Sequence, residues 1–143
     1  MRRRSFDPPR KLEPDELAVL QFLLSQPFPG RDELRRQLPS TRVAEESGEG
    51  EILDLIVLKH GPNVDPARTT RVPVSAWGKD ADGEAIEVVL HVVDGYIAEL
   101  EFVRYAPGPV KAPPPADTLE LSCDDGSPPP RMAGPIPPAS TVD

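Results

Sequence analysis

From Leu12 onward the apolar residues recur first with a helical period and then with a strand period. Leu17, Leu20, Leu23 and Leu24 stand at i, i+3, i+6 and i+7, which predicts an amphipathic helix over residues 14–25. Pro14 suits a first helical position, and Asp15 and Glu16 suit the positive end of the dipole. With Glu13 as N-cap, Leu12 and Leu17 occupy the two positions of a hydrophobic staple. The Gln26-Pro27-Phe28-Pro29-Gly30 corner ends this helix, with Phe28 as its plug. Residues 31–38 then read as a second, two-turn helix whose buried stripe is Leu34 and Leu38, stopped by Pro39. Such a short helix must dock on something to persist.

Beyond it the period becomes two. Residues 41–46, 51–59, 71–78, 84–93 and 97–105 read as five strands, separated by a turn at Ser47-Gly48-Glu49-Gly50, a loop over residues 60–70, and turns at Asp82-Gly83 and Asp94-Gly95. Residues 51–59 are apolar on both faces, as expected of a strand inside the sheet that is covered on both sides for part of its length. A two-residue Asp94-Gly95 loop would set Leu90 opposite Glu99 and bury acids. A three-residue loop with a glycine bulge sets Leu90 opposite Leu100 and Val88 opposite Phe102. The second register gives one face of Ile86, Val88, Leu90, Val92, Ala98, Leu100 and Phe102, which should meet the helices. The other face carries Glu87, Val89, His91, Val93, Ile97, Glu99, Glu101 and Val103 and should be mixed and partly exposed.

The fold class is therefore α+β: two N-terminal helices packed on one face of a mostly antiparallel meander of about five strands. Eleven of the 20 prolines of this 143-residue chain lie at or after Pro107. The chain divides into a flexible basic N-terminus (residues 1–11), the α+β domain (12–106) and a largely disordered Pro-rich tail (107–143), within which residues 118–122 alternate and suit a short edge strand.

The formal net charge is −8, unevenly spread: +4 over residues 1–11, −9 over 12–106 and −3 over 107–143. An acidic body repels phosphates, so nucleic acid is not an expected partner. The single cysteine, Cys123, forms no intrachain disulfide, the N-terminal arginines lead into no apolar run, and no stretch is long enough for a membrane span; a cytoplasmic location is expected.

Few residues carry chemistry. Asp80-Ala81-Asp82-Gly83-Glu84 has the spacing that opens a calcium loop, but a strand follows where the remaining ligands should stand, so an acidic hairpin turn is the better reading. His91 and Glu99 face each other in the chosen register, with Glu101 near, which fits an acid–base couple or a cross-strand charge pair; the charge pair is preferred. His60 sits at a strand end beside Gly61 and fits a turn. Two histidines and one tail cysteine make no zinc set, and no nucleophile elbow or phosphate-cradling loop occurs. Neither a metal nor a cofactor is expected. Trp77, the only tryptophan, is an anchor for a partner if its face is open and a core residue if a loop or the tail covers it; Tyr105 and Ile97 would extend the patch. Pro135-Ile136-Pro137-Pro138 is a minimal Pro-x-x-Pro.

Three segments together resemble small uncharacterised domains of high-GC Gram-positive bacteria: Glu16-Leu17 through Leu23-Leu24 with the Phe28-Pro29-Gly30 corner and Arg31 to Leu38, then Val72-Pro73-Val74, then Leu90-His91-Val92-Val93-Asp94-Gly95-Tyr96-Ile97-Ala98-Glu99-Leu100-Glu101. The resemblance covers about residues 12–106. It implies a compact α+β fold and no activity, and it does not extend to the Pro-rich tail.

The expected function is a non-catalytic protein-interaction module, a monomer or weak homodimer, that masks a basic protein through Trp77, Glu87, His91, Glu99 and Glu101; immunity-type inhibitors are one such class. The alternatives are a small-ligand or enzymatic domain using His91 with Glu99 or Asp54, and an assembly protein pairing through sheet edges.

Overall fold

The computed structural model describes residues 3–48, 50–58, 74–122 and 128–129. Strand β1 (Arg3–Lys11) leads into helices α1 (Pro14–Leu23) and α2 (Arg31–Gln37). A single 3-10 turn, Leu38–Ser40, then opens β2 (Thr41–Ser47). There follow β3 (Ile52–Val57), β4 (Val74–Lys79), β5 (Ala85–Val93), β6 (Tyr96–Arg104), a 3-10 turn at Ala116–Thr118 and β7 (Glu120–Leu121).

The helices begin where their chemistry allows. Pro14 opens α1, and the N–H of Glu13 donates to Glu16 Oε1 at 2.8 Å, satisfying one of the orphan donors of the first turn. Gly30, at φ 91°, turns the chain into α2 in a conformation that side chains resist. Leu20, Leu23 and Leu24 are buried as the period predicts; Val19 joins them, while Leu12 and Leu17 pack at the rim. Leu34 and Leu38 dock α2 on the same core.

All ladders in the seven-stranded sheet are antiparallel, in the order β1-β2-β3-β6-β5-β4-β7. The sheet thus has seven strands, not five, and it is not a simple meander: β6 pairs with β3, so the β4–β5–β6 meander joins the β2–β3 hairpin through its last strand. Period-two patterning reports faces, not neighbours, so this order was not legible.

Of the two added strands, β7 is the short edge strand that the alternation of residues 118–122 suggested, while β1 comes from a segment expected to be flexible. Residues 3–11, expected to be flexible, form β1 at the sheet edge. Charge is the reason: Arg10 makes two 2.9 Å bonds to Glu16 and reaches Glu46 at 3.4 Å, Arg3 reaches Glu45 at 3.7 Å, and Phe6 packs on the core. Residues 107–122, assigned to the tail by their prolines, pack on the domain as a strap. Val110, Pro114 and Leu119 are buried, and β7 pairs with β4. Asp80 holds the strap, its side chain fully buried. It accepts the N–H of Lys111 at 2.9 Å and of Ala112 at 2.8 Å, and pairs with Arg104 at 2.8 Å.

The β5–β6 hairpin carries the expected pairs, Leu90↔Leu100 and Val88↔Phe102, but by another route. Asp94 and Gly95, at φ 53° and 82°, make a two-residue turn with positive φ at both positions, the type I′ geometry favoured by hairpin twist. The extra residue lies inside β6, between the pairs Val92↔Ile97 and His91↔Glu99, so Ala98 is the bulge. In consequence Ile97 is buried in the core and does not belong to the outer face. Nor is β3 covered on both sides as expected: Leu53, Leu55 and Val57 face the core, while Ile56 is 42 % exposed.

Glu49, the loop over residues 60–70, Arg71, Val72 and Pro73 of the expected fourth strand, His60, Cys123 and the Pro135–Pro138 motif lie outside the described residues.

Candidate functional site

With the helices on the inner face, the outer face is composed by the ladders. One register row crosses five strands: Ser5 on β1, Glu45 on β2, Asp54 on β3, Glu99 on β6 and His91 on β5. The next row runs Arg3, Ser47, Ile52, Glu101, Val89 and Ser75. A third pairs Trp77, Glu87 and Val103. Strand neighbours lie about 5 Å apart, so Glu45, Asp54 and Glu99 form a ladder of like charges, an arrangement that destabilises a sheet.

The electrostatics follow from this crowding. Asp54 is held above the ordinary carboxylate range by burial first, then by a hydrogen bond with Glu45 and its charge, with Arg3 opposing. Glu99 is raised by burial and by Glu101 and Asp54, against the pull of His91. His91 Nε2 lies 3.0 Å from Glu101 Oε1 and 4.0 Å from Glu99 Oε2. These three side chains each offer a ligand atom within 4.8 Å of the others, a set that could hold a divalent cation; the 3.0 Å hydrogen bond accounts for the closest contact without one, as is common among exposed acids.

Of the residues singled out from sequence, His91, Glu99 and Glu101 converge, and Glu87 lies on the same face. Trp77 is on that face but is only 7 % exposed. Tyr105 stacks on it with ring centroids 5.8 Å apart, its hydroxyl donating to Glu87 at 2.6 Å, which pushes the phenol up to about 12. Trp77 is therefore no open anchor, while Tyr105 is 65 % exposed. Sequence reasoning missed the partnership of Glu45 and Asp54 with Glu99, because it depends on β6 pairing with β3.

The face is also apolar in places. Ile56 and Leu58 continue the alternation of Ile52 and Asp54, Val93 that of Val89 and His91, and Tyr105 that of Glu101 and Val103. The exposed large apolar side chains among the described residues, Ile56, Leu58 (49 %), Val93 (57 %) and Tyr105, all belong to it. An apolar set around a charged row is a common form of protein-binding surface.

The calcium-like turn has another role. Asp80 and Asp82 both bind Arg104, Asp82 through 2.8 and 2.9 Å bonds that hold its carboxyl down at about 2. A groove of about 470 Å³ opens on the helix side, floored by Val19, Leu53 and Phe102 between Phe6 and Pro113–Pro115; none of Trp77, Glu87, His91, Glu99 or Glu101 lines it. The guanidinium carbons of Arg4 and Arg10 lie 5.1 and 5.0 Å from the Phe6 ring centroid. No helix among the described residues is long and apolar enough to cross a membrane.

A family model described as a domain of unknown function (DUF6984) matches residues 9–114. No curated protein and no solved structure matches the chain.

Proposed function

We propose, for a chain that belongs to the DUF6984 family of domains of unknown function, a non-catalytic role as a cytoplasmic protein-interaction module whose outer sheet face docks a basic protein. The observation that carries this reading is the union on one face of the acidic row Glu45, Asp54 and Glu99, and Glu101 of the next row, with the exposed Ile56, Leu58, Val93 and Tyr105. A like-charge ladder costs the free protein stability, and a cationic partner would relieve that cost on docking. A basic surface that also bears apolar side chains is the matching chemistry, and an immunity-type inhibitor of a basic enzyme is one case of it.

Two other readings have less support. Catalysis by His91 and Glu99 needs a concave site, and the described groove lies on the opposite side of the sheet. Assembly through sheet edges meets Pro8 and Pro9 in β1 and the β7 cover on β4, both devices that blunt edges.

The test is affinity capture from the native host with the full chain and with its Glu99→Lys/Glu101→Lys form. The expected partner is basic and is lost by the double variant while that variant still unfolds cooperatively in urea. Capture of the same partner by both forms, or of an acidic partner, refutes the surface.

A further inference from the structure

Docking on an acidic surface depends on the surface staying ionised, and three carboxylates of this face stand in one row, where a proton on one relieves its neighbours. Glu45, Asp54 and Glu99 occupy directly opposed positions on β2, β3 and β6, and His91 completes the row on β5. Neighbouring carboxylates cannot all ionise without cost, so a proton is favoured on the row. His91 stands between Glu99 and Glu101, and on protonation it sets a positive charge 3.0 Å from one and 4.0 Å from the other.

We propose that the outer face is a pH-gated dock, holding a cationic partner near neutral pH and releasing it in acid as the carboxylate row centred on Asp54 and Glu99 takes up protons. This rests on the docking reading above. The charged groups that face the row are Glu101, beside Glu99 on β6 and 3.0 Å from His91, and Arg3 on β1, 3.7 Å from Glu45. Ser75 and Trp77, on β4, do not titrate, and Lys79 stands at the far end of that strand. On β5, Glu87 is tied to the Tyr105 hydroxyl, which is uncharged. Burial and like charge hold Asp54 and Glu99 above the ordinary carboxylate range, toward the working window. A partner built from Lys and Arg does not titrate there, so the change in affinity belongs to this face.

The test uses the full chain and a synthetic amphipathic Lys/Leu peptide as probe, with binding measured by calorimetry at about pH 7.5 and about pH 5. The side-chain carboxyl carbons of Asp54 and Glu99 are followed by NMR over the same range. Loss of two or three exposed charge contacts should weaken binding roughly tenfold at the lower pH. The Asp54→Asn/Glu99→Gln form should bind at the higher pH as weakly as the native chain does at the lower one, with its pH dependence flattened. Equal binding at both pH values, or Asp54 and Glu99 carboxyls titrating at ordinary values, overturns the gate and leaves the dock standing. No saturable binding at the higher pH overturns both.

Discussion

Replacing Gln37 by Met should cost the domain about 2–6 kcal/mol, and replacing it by Glu should make that cost depend on pH. Gln37 is buried at the end of α2. Its Nε2 donates to the carbonyl of Gly95 at 2.9 Å, and its Oε1 accepts the N–H of Ile97 at 2.9 Å. One amide thereby satisfies both backbone groups that the Asp94-Gly95 turn and the Ala98 bulge leave facing the helices. Methionine fills similar volume but leaves the two groups buried and unpaired, at about 1–3 kcal/mol each. Net stability of such a domain is on the order of 5–15 kcal/mol, so the effect is large. Glutamate keeps the acceptor for Ile97 but turns a second oxygen toward the Gly95 oxygen. Protonated, it can donate there and restore both bonds. Its folded pKa must then exceed its unfolded one, the folded state binds more protons in between, and stability rises as pH falls. Urea unfolding followed by Trp77 fluorescence at a series of pH values measures both variants. A Met variant within about 1 kcal/mol of native, or a Glu variant whose profile parallels the native one, would refute the clamp.

Two further outcomes follow from the strap. A Cβ at Gly78 would lie 2.7 Å from Leu119 Cδ2 and 2.8 Å from Pro114 Cβ, so Gly78→Ala should displace the strap at a cost of about 1–3 kcal/mol and speed proteolysis between residues 107 and 122; unchanged melting and cleavage would contradict that packing. Against its burial, Asp80 is held down by the backbone N–H groups of Lys111, Ala112 and Ala81, with Arg104 after them, and Arg104 holds Asp82 down to about 2 from 3.8, so the unfolded state binds more protons between those values. Their stabilisation is present above the unfolded value and lost as pH falls through the folded one. Arg104→Met should flatten the acid limb of the unfolding profile, and an unchanged limb would show that other groups set it.

Much of the helix layer was legible because a leucine period of 3.6 and a Pro-Gly corner are local facts: α1, α2 and the docking of Leu34 and Leu38 need no knowledge of the partner. The pairs Leu90↔Leu100 and Val88↔Phe102 were legible for a similar reason, since burying acids is costly enough to exclude the other register. The place of the extra residue was not. A turn residue and a bulge residue shift the pattern equally, and only the twist-matched Asp94-Gly95 turn moved it to Ala98. Nor did Gln37 stand out, and Asp80 stood out only as part of an acidic turn, because a polar side chain looks exposed until the buried N–H groups it serves are known. The alternation of residues 118–122 announced the edge strand β7, but the N-terminal strand and the docking of residues 107–117 were hidden by composition: arginines and prolines avoid cores on average, yet here they meet acids and a buried carboxylate supplied by distant segments.

The candidate site divides along the same line. Alternation in β5 and β6 put His91, Glu99 and Glu101 on one face from sequence alone, because both strands share one hairpin. That Glu99 stands beside Asp54, and Asp54 beside Glu45, was decided by β6 choosing β3 as its neighbour, a long-range pairing that the period of a strand does not encode.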